Sequence, residues 1–338
     1  MSFFSFGFTF EDLHTTEGLE RLDQIFLNYL QQGDETLCLR LKEGRVASPP
    51  PIEESALLLD LAPYVEDFLA RLFSIEKEIS ALQSHTYALA PLYRCKRLFV
   101  QRRAAKAFSK NEAQSFPGLH LKEILSGLMG EPFCDLNFAI HVLKALDDEE
   151  INKDFLEVAL KYAAWSLYQD NPSVLFKLPL KVDPEALISL KKEGKCLVSP
   201  HKISRREFGV STEDALDQVH YCILCHNQGK DSCSKGHSQT HKGCPLDQKI
   251  SEMNTLRTQG YVLGALCMII VDNPMVAATG HRICNDCMKA CIFQKQEPVN
   301  IPQAETSALK DVLAMPYGFE IYSLLTRWNP LNAKRPFA

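Results

Sequence analysis

Residues 220–250 read HYCILCHNQGKDSCSKGHSQTHKGCPLDQKI, and residues 280–291 read GHRICNDCMKAC. The first stretch contains Cys222-x2-Cys225-x7-Cys233-x10-Cys244-Pro245, the second Cys284-x2-Cys287-x3-Cys291. A tight turn brings two thiols, two residues apart, to one side of a common centre. The glycines and polar residues between Cys225 and Cys244 let the backbone pass close to a bulky inorganic core. Seven cysteines in two spaced groups make a stronger signal than either group alone.

Four readings of these thiols compete. Two [4Fe–4S] clusters need eight ligands, which seven cysteines and one further residue would supply, and the Cys-Pro ending resembles the bacterial ferredoxin run C-x2-C-x2-C-x3-C-P. Zinc needs four tetrahedral ligands, which Cys222, Cys225, Cys233 and Cys244 could provide, with His281 available to complete Cys284, Cys287 and Cys291. Cys222-Ile223-Leu224-Cys225-His226 is a literal C-x-x-C-H, the haem-attachment pattern. Finally, all could be buried structural thiols. Cys267 suits that last reading, because in VLGALCMIIV a free cysteine behaves as a small hydrophobe. His220, His226, His237, His241 and His281 crowd the region as loop residues or donors to cluster sulfurs, not as expected ligands.

The cysteines are unevenly spread: Cys38, Cys95, Cys134 and Cys196 are scattered, and the other eight of the twelve fall between residues 222 and 291. MSFFSFGFTFEDL at the N-terminus carries acids where an export signal would still be apolar, which points to a reducing cytoplasm where clustered cysteines bind metal rather than pair. The longest strongly apolar run, Tyr261–Val271, is about half of the ~20 residues a bilayer needs, so no membrane span is expected. With a net charge of −5 among 338 residues, bulk electrostatics do not point to nucleic acid.

Periodicity predicts an all-α chain. Apolar positions at near-helical spacing mark Leu19–Leu30, and after the break at Ser48-Pro49-Pro50-Pro51 a second stretch runs from about Ser55 to Leu82, bent at Pro63. Further helices are predicted at Ala90–Phe108, Leu121–Leu128, Leu136–Leu146, Glu149–Tyr168 and Pro184–Lys192. Residues 1–195 thus read as a helical bundle of unknown role, with Lys195–Phe208 a connector. Ser211 then caps a short helix into Tyr221; others follow Cys244-Pro245 up to Gly260, span Tyr261–Val271, and run from about Gln303 to Leu313. Residues 319–338 read as a C-terminal linker. The basic run Arg94, Lys96, Arg97, Arg102, Arg103, Lys106 and Lys110 reads as a solvated face, and Asp147, Asp148, Glu149 and Glu150 as helix-start charges.

At the cysteines a family resemblance appears. Residues 211–315 resemble the N-terminal iron–sulfur domain shared by the glutamate synthase small subunit and dihydropyrimidine dehydrogenase. The landmarks are Cys222-x2-Cys225, Cys244-Pro245-Leu246, Asp272-Asn273-Pro274, Gly280-x3-Cys284-x2-Cys287-x3-Cys291 and Glu297-Pro298-Val299-Asn300-Ile301. The resemblance implies a helical, ferredoxin-type domain (196–318) holding two [4Fe–4S] clusters; the N-terminal helical bundle (1–195), read from periodicity, lies outside it, and together they make an all-α chain. It implies Cys222, Cys225, Cys233 and Glu305 for one cluster, and Cys244, Cys284, Cys287 and Cys291 for the other. Glu305 resembles the glutamate synthase choice; the pyrimidine enzyme has Gln. The gaps flanking Cys233 are longer than the family's, with SKGHSQTHKG inserted.

In those enzymes, flavin and nicotinamide domains carry the substrate chemistry. No G-x-G-x-x-G, P-loop, nucleophile elbow or H-E-x-x-H occurs here. The expected function is therefore an electron-transfer component of an NAD(P)H/FAD-dependent oxidoreductase, working with a flavoprotein domain or subunit rather than as a complete catalyst. A zinc-stabilised helical interaction module is the alternative from another class.

Overall fold

The computed structural model describes residues 3–170, 172–181, 211–279, 284–293 and 295–332. The predicted helix Pro184–Lys192, the connector Lys195–Phe208, Cys196 and His281 lie outside them. The described chain is mostly helical, its strands being the two-residue pair Phe3–Phe4 and Phe8–Thr9. Two compact units form, one from Met1–Ser84 with Asp183–Ala338, the other from His85–Val182. This differs from the expected boundary at residue 195: the first 84 residues fold with the cysteine-bearing segment.

In the first unit, local signals set the helix starts. The Thr15 hydroxyl accepts from Gly18 N–H at 3.2 Å to open Thr16–Gly33, and Asp34 accepts from Leu37 N–H at 2.8 Å to open Glu35–Val46. Pro51 occupies the first turn of Pro51–Phe73, where its missing N–H would be unsatisfied anyway. That helix runs through Pro63 and ends where Ser74 turns left-handed (φ 53°), so the expected single stretch to Leu82 becomes two helices.

The centre of this unit is the helix Val262–Asp272, every residue of which from Val262 to Ile270 is buried. A helix apolar all round must be enclosed on all sides. Helices Pro51–Phe73, Ile250–Thr258 and Ile301–Leu313 enclose it. Gly264 lets Pro51–Phe73 approach closely: a Cβ there would sit 3.2 Å from the Ala62 Cβ. At this crossing the buried Glu66 carboxylate accepts from Gly264 N–H (3.1 Å) and from Gln83 Nε2 (2.8 Å), capping the start of the central helix. Burial pushes Glu66 up to about 7.

The segment expected to be a linker is part of this core. Gly318–Leu325 is helical, and Trp328 is fully buried, its Nε1 donating to Asp23 at 3.1 Å. Asp23 also takes a two-pronged bond from Arg45 at 2.7 and 2.8 Å. Arg327 donates to the Leu13 carbonyl at 2.7 Å.

The second unit is built on Gly118–Met129, Asp135–Ala145 and Lys153–Ser166, around Phe133, Phe138, Tyr162 and Phe176. Gly118 lies flat against the Trp165 ring, where any Cβ would collide. Within the basic run, Lys96–Ala104 winds as a π-helix, and Arg103 grips Glu149 at 2.7 and 2.9 Å. Glu149 thus serves as a cross-element partner, and the helix it was expected to start begins at Lys153.

Candidate metal centre

The helix Thr212–Tyr221 starts where the Ser211 hydroxyl accepts from Asp214 N–H at 3.1 Å, and it delivers Cys222 at its C-terminal end. A left-handed Leu224 (φ 51°) turns the chain at once into the short 3₁₀ helix Cys225–Gln228. Cys233 lies in the single turn Ser232–Lys235, which packs on the single turn Asp286–Lys289 carrying Cys287.

These elements gather the thiols into two sets. The Cys233 thiol is hydrogen-bonded to Cys291 and feels the charge of Cys222 and Cys225; Cys222 in turn feels Cys291 and Cys225. Cys244 and Cys287 both feel Glu305 and Cys284. The sets are therefore Cys222, Cys225, Cys233 and Cys291, and Cys244, Cys284, Cys287 and Glu305. All are buried except Cys284, and none of the described cysteines forms a disulfide.

Relative to the expected partition, Cys291 and Glu305 have exchanged places. The expectation grouped the three clustered cysteines 284, 287 and 291. The helical turn Asp286–Lys289 ends before Cys291, however, and the chain past it carries that thiol to Cys233. The vacated place beside Cys244 and Cys287 is taken by Glu305, from the buried face of Ile301–Leu313.

The ten-residue insertion 234–243 does not displace Cys233. Gly236 and Gly243 have φ of +73° and +82°, and at each a Cβ would strike backbone of the same loop; glycine alone lets the loop fold back on itself. The Cys244 N–H then donates to the Cys233 carbonyl at 2.9 Å, tying one set to the other. His237 and His241 stack on each other 5.1 Å apart in this loop, with His241 Nδ1 against Ser238 and Thr240.

Desolvation dominates the electrostatics. Burial pushes the Cys222, Cys244 and Cys287 thiols up, and it pushes the Glu305 carboxyl up to about 7 against the opposing hydrogen bond from Gln248. In the Cys233–Cys291 pair, the hydrogen bond lowers Cys291 and raises Cys233. Crowded thiolates of this kind ionise readily only beside a cation. Among the described residues, no three His, Cys, Asp or Glu side chains close around a point fit for a single metal ion. Cys267 stands apart: it is fully buried in the central helix near Glu66.

Comparison with known proteins finds relatives by sequence. Residues 4–74 match the RP005 N-terminal alpha-helical domain. Over 295 residues, covering 75% of this chain and 98% of the relative, the chain is 34% identical to the uncharacterized protein RP005 of Rickettsia prowazekii (strain Madrid E). The chain belongs to the RP005 family. It is also 71% identical over 62 residues to the uncharacterized protein RP006 of the same organism, a stretch that is 18% of this chain and 9% of RP006. No solved structure matches. The RP005 N-terminal domain, in this chain, supplies the helix Pro51–Phe73 against which the central helix of the cysteine-bearing segment packs. Among the described residues no helix is long and apolar enough to cross a membrane.

Proposed function

We propose that the chain is an iron–sulfur electron-transfer component that holds two [4Fe–4S] clusters and exchanges electrons with an FAD- and NAD(P)H-binding flavoprotein domain or subunit. The gathering of seven cysteines and Glu305 into two sets of four, from segments spread between residues 222 and 305, carries this reading. Cys222, Cys225, Cys233 and Cys291 would hold one cluster; Cys244, Cys284, Cys287 and Glu305 would hold the other. When bound, each cluster supplies one-electron carriage.

The donor chemistry fits such groups. A tetrahedral zinc site with Zn–S near 2.3 Å draws its sulfurs to about 3.8 Å from one another. A four-iron cage holds its cysteine sulfurs further apart, and thiolate donors suit both groups. Buried polar atoms left without partners beside the first set, Asn254 Nδ2 and Ser234 Oγ among them, are the donors that sulfur-rich groups accept. The protein's share of the work is to exclude water from seven of the eight donors, and to bridge the two sets through the Cys244–Cys233 backbone hydrogen bond.

Anaerobic purification followed by metal and sulfide analysis tests the reading. About eight irons and eight acid-labile sulfides per chain are expected. Stoichiometric zinc with neither iron nor sulfide would replace it with a zinc-stabilised interaction module.

A further inference from the structure

Away from the thiols, the second unit carries charges that its own folding does not neutralise. The π-helix Lys96–Ala104 is closed by a bond from the Ala105 N–H to the Val100 carbonyl, five residues back. Such segments are rare and concentrate at functional positions. Here the winding changes which side chains line up. Bonds across five residues set Arg102 over Arg97, which ordinary helical turns would carry to different sides. Arg94 lies three residues before Arg97, and Lys106 four after Arg102. All four are exposed, so they form one cationic stripe. Among the described residues none of the four has an ion-pair partner.

An acidic turn borders the stripe. Asp147, Asp148 and Glu150 are exposed and also lack ion-pair partners among the described residues. The Asp148 carboxylate accepts from the Ile151 N–H at 3.3 Å, which holds the turn in shape and leaves the Ile151 side chain 82% exposed. Where turn and stripe meet, Arg103 grips Glu149 at 2.7 and 2.9 Å. Two patches of opposite sign sharing one edge make a surface complementary to itself. A half-rotation about an axis near the Arg103–Glu149 pair lays stripe on turn and turn on stripe, the pattern of an isologous contact. A polyanion following the stripe would instead run into the acids at its edge, on a chain whose net charge is already −5.

We propose that this surface docks a second copy of the chain. Each copy's stripe (Arg94, Arg97, Arg102 and Lys106) faces the other's acidic turn, and the contact covers Ile151 of both. Exposed pairs of this kind each contribute little, so the charges act mainly by fixing register and speeding encounter, and the dimer is weak and sensitive to salt. The contact is independent of what the thiol sets hold.

Sedimentation velocity of the full chain at about 0.02 M and about 0.5 M salt tests it. A dimer at low salt that dissociates at high salt is expected; a monomer at both, or a dimer at both, would overturn the proposal. The double variant Arg97→Glu with Arg102→Glu should be monomeric at low salt, as should Asp147→Lys with Asp148→Lys. Mixed in equal amounts, the two should form the dimer again, because one chain's reversed stripe meets the other's reversed turn while the second contact keeps its native charges. Folded variants that dimerise alone, or that fail to pair on mixing, would overturn it. Assembly beyond a dimer would do the same, by signalling an open head-to-tail contact. Should a variant fail to fold, wild-type chains decide. Light chains mixed with chains grown on heavy nitrogen, treated with a carbodiimide at low salt, should give links from Lys106 to Asp147, Asp148 or Glu150 that join light to heavy peptide. Absence of mixed links would overturn the proposal.

Discussion

Cys233 and Cys244, each in a different thiol set, are joined directly by their backbones: the N–H of Cys244 reaches the carbonyl oxygen of Cys233 at 2.9 Å. The ten residues between them double back through two glycines, so the loop length is absorbed and both thiols stay in place. Gly243→Ala tests this. With φ at +82° and a Cβ colliding with the Ser234 carbonyl, the substitution is expected to cost about 1–3 kcal/mol. Under the proposed function it should also lower bound iron, as read by thermal denaturation and iron analysis of one preparation.

The exchange of Cys291 and Glu305 between sets makes a pairwise prediction. Under the proposed function, Cys233→Ser and Cys291→Ser remove the same cluster, so the double variant should lose no more than either single, about four irons. Cys291→Ser combined with Cys287→Ser should lose about eight. Iron counts that reverse this pattern would restore the grouping of Cys284, Cys287 and Cys291. Cys267→Ser should keep the full complement, since that thiol belongs to the central helix.

Glu66 gives a pH dependence with a definite sign. Its folded-state pKa, about 7 against an ordinary 4.5, means that the folded chain holds this proton more tightly than the unfolded chain. The contribution to stability is complete below pH 4.5, declines as pH rises between the two values, and is gone above about 7. The span corresponds to about 3 kcal/mol. Urea denaturation from pH 4.5 to 8 should show this component in the wild type. Glu66→Gln, which keeps an acceptor for Gly264 N–H, should lack it.

Trp328 is expected to behave as a core residue. Trp328→Ala should destabilise the first unit by about 3–5 kcal/mol and leave Asp23 with Arg45 alone. Chemical denaturation followed through Trp165 fluorescence would miss this loss, because Trp165 belongs to the other unit. Far-ultraviolet circular dichroism is the suitable measurement.

Local chemistry was legible in the sequence. Ser211 with Asp214 three residues on marked the start of Thr212–Tyr221, and the unbroken apolar run near residue 265 marked a buried helix. Each depends on neighbours within one or two turns. What escaped depends on distant partners. Pro63 reads as a bend, yet its helix continues because packing on Val262–Asp272 outweighs the missing hydrogen bond. Residues 319–338 read as linker because NPLNAKRPFA is polar and turn-rich, while the burial of Trp328 is decided by Asp23, some three hundred residues earlier. The thiol sets show the same division: the residues were visible from spacing, but which thiol faces which depended on where the turn Asp286–Lys289 ends.

The Glu66–Gly264 contact joins residues 198 positions apart, and its consequence falls on the chain during synthesis. At roughly 5–20 residues per second, the ribosome takes on the order of ten to forty seconds to supply the second partner after the first has emerged. Through that interval the apolar side of Pro51–Phe73 has no mate, and His85–Val182 can fold first as a unit of its own. Under the proposed function, metal would then load late, after the enclosing helices of both ends have met.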